Sequence, residues 1–226
     1  MNIQILFSLK LLLKQRSIFV AMLVLLIAVP LILVSLNGSG LSLREAWYTI
    51  LHLQMIVAVL IVPIILHSIW KGKIQLFEKQ LILYHIHKPF EYYMAKLFAV
   101  CFVISSILVL FYTVFWLLLF DQISITLWYS TIVQIILTLA FAVALAGLLS
   151  LLLKRTIYGT ILMILYLIIS IQFIRSSMFA LWFNPDFIEQ MMLEPSFLIQ
   201  RFALLCWIII LLLTSKALFV RQVVSS

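Results

Sequence analysis

Six apolar runs, each long enough to cross a bilayer, divide this chain, and its basic residues fall almost entirely into alternate gaps between them. A hydrocarbon core about 30 Å thick takes about 20 residues of helix at roughly 1.5 Å each. The runs at 18–36, 48–69, 97–120, 125–153, 157–174 and 203–220 fall in that range. Backbone in lipid must satisfy its own hydrogen bonds, so each run reads as a helix. The expected fold class is all-α: a polytopic membrane protein with six transmembrane helices in a single transmembrane domain over 1–226. The chain is 66% hydrophobic and 10% charged, against about 25% charged for a soluble domain.

Charge position sets the expected orientation. Lys10, Lys14, Arg16, Lys71, Lys73, Lys79, Lys88, Lys96, Lys154, Arg155, Lys216 and Arg221 gather on one side, and Arg44, Arg175 and Arg201 on the other. The positive-inside rule then places both termini and the 71–96 loop in the cytoplasm. Glu45, Asp121, Asp186, Glu189 and Glu194 fall outside. The net charge of +8 therefore records topology and contact with anionic membrane lipids, not affinity for nucleic acid. The first run is too apolar and too long for a signal peptide, and no small-residue cleavage site follows it, so a retained anchor is expected.

Between the spans the sequence is uneven. Residues 1–16 mix Gln4, Ser8 and Gln15 with Lys10 and Lys14, a pattern for an interfacial helix or for an inward extension of the first span. Pro30 and Pro63 lie inside spans, where a kink is tolerated if neighbours satisfy the freed carbonyls. Ala140, Ala142, Ala144, Ala146 and Gly147 give the fourth span a small-residue patch for close helix packing. Cys101 and Cys206 fall at different depths, so no disulfide is expected between them. The 176–200 segment, with Trp182 and Asn184-Pro185-Asp186, is too apolar for a free loop and too interrupted to span. An outer, partly re-entrant segment is expected there.

Much chemistry is missing. The interiors of the expected spans hold no Asp, Glu, Lys or Arg, so no ion or proton pathway is signposted. No span supplies a nucleophile with a base, and His85 and His87 lack companions at metal-site spacing. No phosphate-binding loop is present, so the chain is not expected to hydrolyse ATP or to act as an enzyme. His52, Gln54 and Gln134 are the candidate substrate-pathway residues. A lone His or Gln in a membrane helix more often serves as an interhelical hydrogen-bonding group than as a ligand.

The 71–96 loop carries the functional argument. Ile74, Phe77, Leu81 and Tyr84 recur at spacings of three and four, which predicts a short amphipathic helix. Its apolar face needs a cover: the membrane surface, the N-terminal helix, or a groove on a soluble partner. Glu78, the Leu81-Ile82-Leu83 run, His87-Lys88 and Ala95-Lys96-Leu97 together resemble the first inner loop of ABC type-2 transporter permeases. The layout is also similar: an N-terminal interfacial helix, six spans, a long second-to-third inner loop and an outer segment before the sixth span. The family's glycine before the leucine run is missing, Ile86 stands at the proline position, and Pro89 comes three residues late. The resemblance implies a coupling helix docking on a cytosolic ABC ATPase through Phe77, Glu78, Lys79, Leu81 and Tyr84. It also implies a second permease chain, identical or related. ATP and Mg would be held by the ATPase partner, with no cofactor in this chain. The implied activity is export of a hydrophobic or amphipathic peptide, drug or lipid-like molecule across a bacterial plasma membrane. The residues leave open a second reading, a non-transporting six-span scaffold or immunity protein that binds a partner in the bilayer.

Overall fold

The computed structural model describes residues 6, 8–10, 16–37, 42–70, 89–119, 122–153, 156–172 and 195–224. Every element among them is helical: α1 (Arg16–Leu23), a π-helical turn (Val24–Ala28), α2 (Val29–Asn37), α3 (Leu43–Trp70), α4 (Pro89–Leu118), α5 (Ile125–Leu152), α6 (Thr156–Gln172) and α7 (Pro195–Val224). Four described helices are long and apolar enough to cross a membrane: Leu43–Leu66, Phe90–Leu118, Ile125–Leu152 and Leu198–Phe219. The first and fifth expected spans are present as shorter apolar stretches, Val20–Ile32 and Tyr158–Ile169. Residues 1–16 are described only at Leu6, Ser8, Leu9, Lys10 and Arg16, all helical, with Ser8 wholly buried and Lys10 exposed.

Prolines explain where the helices depart from the expected bounds. Pro89 and Pro195 each open a helix, where the fixed φ suits the first position and the missing N–H is not needed. Helices α4 and α7 therefore start eight residues before the expected spans at 97 and 203. Inside the first span, Pro30 cannot donate to a carbonyl one turn back. The chain widens just before it: the Val29 N–H bonds the Val24 carbonyl, an i to i+5 link that closes the π turn. At the start of α3, Ser42 and Glu45 form a reciprocal cap: the Ser42 N–H and hydroxyl both donate to Glu45 Oε2 at 2.8 Å, and the Glu45 N–H donates to Ser42 Oγ.

Helix α5 is the hub. It packs against α3, α4, α6 and α7, and Ala142, Ala144, Ala146 and Gly147 are all buried along it. Ring contacts fix the directions. At one end Trp47 of α3 lies 4.8 Å from Tyr112 and 5.3 Å from Phe115, near the end of α4. There too Trp116 of α4 lies 5.5 Å from Trp128 of α5 and donates to the Ile123 carbonyl. At the opposite end Tyr93 of α4 meets Phe219 of α7 at 5.4 Å. Tyr166 of α6 lies 5.7 Å from Phe141 of α5, while Gly159 approaches Leu149. Helices α3, α5 and α7 thus run one way, and α4 and α6 the other. The outward surface is as apolar as the core: Phe98, Phe102, Leu110 and Leu117 on α4, and Phe202, Leu205 and Ile209 on α7, are all exposed. A hydrocarbon environment accommodates such a surface and water does not.

Candidate functional site

Four of the buried polar residues, Gln54, Thr131, Gln134 and Thr138, lie along one seam between α3 and α5. Its anchor is a hydrogen bond from Trp47 Nε1 to Thr131 Oγ1, 3.2 Å long and buried. Trp47 and Gln54 are seven residues apart on α3, which returns them to the same helical face. Thr131, Gln134 and Thr138 follow at intervals of three and four on α5, again one face. Because the anchor joins the two faces and the helices run the same way, the stripes oppose each other. Seven residues of rise on each helix, about 10 Å, put Gln54 and Thr138 at one depth, with Gln134 between them and the anchor. Gln54, Gln134, Thr131 and Thr138 are all wholly buried. Thr138 sits at the middle of α5, and Gln54 lies within a turn of the middle of α3.

Other hydroxyls on these helices are satisfied locally. Ser105, Thr113, Ser130, Thr131 and Ser150 each donate to a carbonyl three or four residues back, the usual arrangement for a hydroxyl on a helix. The seam breaks that pattern. Both carboxamide atoms of Gln54, both of Gln134, the Thr138 hydroxyl and the Tyr112 hydroxyl are buried with no hydrogen-bond partner among the described residues. Each such group costs about 1–3 kcal/mol where it stays unsatisfied.

Of the expected pathway residues, then, Gln54 and Gln134 come together on facing helices. His52 does not join them. Two residues along a helix turn it about 200° around the axis, and it is only half-buried. The expected ATPase-coupling residues Phe77, Glu78, Lys79, Leu81 and Tyr84 lie outside the described residues, as does the outer segment from 176 to 194.

The start of α4, whose first eight residues fall within the expected 71–96 loop, is packed tightly on the bundle. Phe90 and Tyr93, in its first turns, stack on each other at 5.8 Å and both meet Phe219. Lys216 Nζ stands 5.9 Å above the Phe90 ring. Tyr93 and Leu97 lie so close to α5 that a Cβ on Gly147 would sit 2.7 Å from the tyrosine oxygen and 2.8 Å from a leucine methyl.

The charge-free interior expected from sequence needs correction. Lys96 is 1% exposed and Arg201 5% exposed, because the early starts of α4 and α7 carry both into the bundle. Lys96 Nζ lies 4.8 Å over the Tyr92 ring, a cation–π contact that sequence spacing (i, i+4) signalled but span boundaries hid. Cys101 and Cys206 are both free thiols. Among the described residues no three His, Cys, Asp or Glu side chains converge as a metal site would require. No family model, curated protein or solved structure matches the chain.

Proposed function

We propose that this chain is the membrane permease subunit of an ATP-driven ABC exporter, moving a hydrophobic or amphipathic substrate with energy supplied by a separate cytosolic ATPase. The observation that carries the reading is the sequence of the 71–96 segment: Ile74, Phe77, Leu81 and Tyr84 at spacings of three and four, among Lys71, Lys73, Lys79 and Lys88, in a chain with no phosphate-binding loop in its sequence. Two physical features support it. Consecutive helices from α3 to α7 alternate in direction, as successive crossings of a bilayer demand, and this reading takes the shorter apolar stretch in α1–α2 as one crossing more. The helix that receives the 71–88 segment is also wedged at its first turns against α5 and α7 through Tyr93, Gly147 and Phe219. A push on the segment is therefore delivered into the bundle interior.

In this reading the termini and the 71–96 loop face the cytoplasm of a bacterial plasma membrane. Two permease chains, identical or related, surround the pathway. Two ATPase subunits bind ATP and Mg, and their closure pushes on Phe77, Glu78, Lys79, Leu81 and Tyr84.

The decisive experiment is copurification. A stoichiometric soluble ATPase accompanies the wild-type chain, and Phe77→Asp with Leu81→Asp releases at least nine-tenths of it. The double variant keeps the wild-type thermal transition, because neither residue lies in a span. An ATPase retained undiminished by the double variant overturns the coupling assignment. A wild-type chain that purifies with no ATPase overturns the exporter reading in favour of a scaffold or immunity protein.

A further inference from the structure

The buried polar groups of the α3–α5 seam have a ligand chemistry of their own. Gln54 and Gln134 offer two carboxamides, each with an acceptor oxygen and a donor nitrogen, and Thr138 adds a hydroxyl. None of these side chains carries charge. All three residues are wholly buried, at a depth where lipid offers no hydrogen bond. Ser105 and Thr113 on α4 and Ser130 and Thr131 on α5 bond back to their own helix, whereas Thr138 does not.

We infer that the Gln54–Gln134–Thr138 seam is a binding site for a neutral hydrogen-bonding group at mid-depth in the bundle, filled either by ordered water or by the backbone amide of an apolar ligand. The complement of a carboxamide is another amide or a water molecule, each presenting a donor and an acceptor. A charged group is disfavoured because none of the seam's side chains supplies a countercharge. The apolar side chains flanking the seam, Leu51, Met55, Ala58, Ile135 and Leu139, are buried with it and suit the hydrocarbon part of such a ligand. Delivery of a ligand to this depth rests on the permease reading; the site itself does not.

The test uses the full chain in phosphatidylcholine nanodiscs with radiolabelled N-acetyl-Leu-Phe-Leu-amide. Gln54→Met with Gln134→Met keeps side-chain length and removes the hydrogen bonds. It weakens peptide binding by about 10-fold or more, the loss expected for one or two hydrogen bonds. Thr214→Val, which removes an exposed hydroxyl on α7 bonded to Ile210, leaves binding unchanged. An analogue with esters in place of backbone amides, which keeps the carbonyl acceptors and loses the N–H donors, shows a smaller difference between wild type and double variant. If the double variant fails to fold, Thr138→Val, an isosteric change, gives a loss of about 3-fold and serves in its place.

A second arm reads water directly, as magnetisation transfer from solvent to the two glutamine carboxamides in the ligand-free chain. Transfer without peptide binding assigns the site to water. No water transfer at either glutamine, together with peptide binding that is absent or that the variants do not alter, overturns the inference. ATPase copurification is scored on the same preparations. Glutamine-dependent peptide binding with no ATPase sinks the exporter reading and leaves the site standing. Retained ATPase with glutamine-independent binding and no water transfer does the reverse.

Discussion

Trp47→Ala destabilises the bundle by about 2–3 kcal/mol, measured as a shift in reversible unfolding in mixed micelles. Truncating a buried Trp in a water-soluble core costs about 3–5 kcal/mol, the sum of a transfer term and a cavity term. Lipid is as apolar as the bundle interior, so most of the transfer term is absent here. The cavity term remains in full. Trp47 is wholly buried, stacks on Phe115 with planes 10° apart, and meets Tyr112 edge-on. It therefore ties α3 to the end of α4, while its Nε1 ties α3 to α5. Thr131→Val probes the hydrogen bond alone. It keeps the shape but leaves Nε1 buried without its acceptor, a loss of about 1 kcal/mol, since interhelical hydrogen bonds in membranes average about 0.6 kcal/mol and a stranded donor adds to that. The order matters more than the values. A Thr131→Val cost equal to that of Trp47→Ala would mean that the hydrogen bond, not ring contact, holds this corner together.

The amino-acid sequence made some of this legible and hid the rest, for identifiable reasons. Hydropathy located α5 to within one residue, because an apolar run opened by the Ser124 cap leaves little freedom, but it placed the start of α3 five residues late, because Arg44 and Glu45 stand between the Ser42 cap and the apolar run. It misplaced the starts of α4 and α7, because a window that demands uniform hydropathy stops at Lys96 or Arg201, while a helix opened by Pro89 or Pro195 does not. Lys96 illustrates the failure. Counted as a cytoplasmic marker, it is one of the largest fully buried side chains of the bundle, paired with the Tyr92 ring one turn earlier. The pathway candidates divided for a simpler reason. Gln54 and Gln134 belong to stripes that recur at helical spacing with Trp47 and Thr131, whereas His52 sits two residues from Gln54 and so points elsewhere. Periodicity through Trp47, Gln54, Thr131, Gln134 and Thr138 was present in the sequence. Alternating spans already implied that α3 and α5 run the same way; what the sequence lacked was that they pack together and in what register, which the Trp47–Thr131 bond supplies. The π turn before Pro30 was likewise foreseeable only as a kink of unspecified form.

Gly147→Ala and Gly159→Ala are the same chemical change on adjacent helices and have opposite outcomes. Exchanging glycine for alanine in a helix interior gains about 1 kcal/mol from propensity alone. At Gly159 the new Cβ would meet Leu149 Cβ at 3.8 Å, an ordinary contact, so the gain survives and the variant is as stable as wild type or more so. At Gly147 the Cβ would stand 2.7 Å from the Tyr93 oxygen and 2.8 Å from Leu97 Cδ2. Leu97 can rotate, but Tyr93 is 1% exposed and held by Phe90 and Phe219, so α4 and α5 must separate. Overpacking of this kind costs about 1–3 kcal/mol, which equals or exceeds the propensity gain and leaves Gly147→Ala neutral to about 2 kcal/mol less stable. Gly147→Leu, with three more carbons in the same space, loses more and by the same route. Tyr93→Phe removes the closest atom, so combining it with Gly147→Ala recovers part of the loss, a coupling of about 0.5–1 kcal/mol in a double-mutant cycle. Gly147→Ala as stable as Gly159→Ala would show that the α4–α5 approach has slack. The first turns of α4 would then be a poor conduit for force from the segment before them.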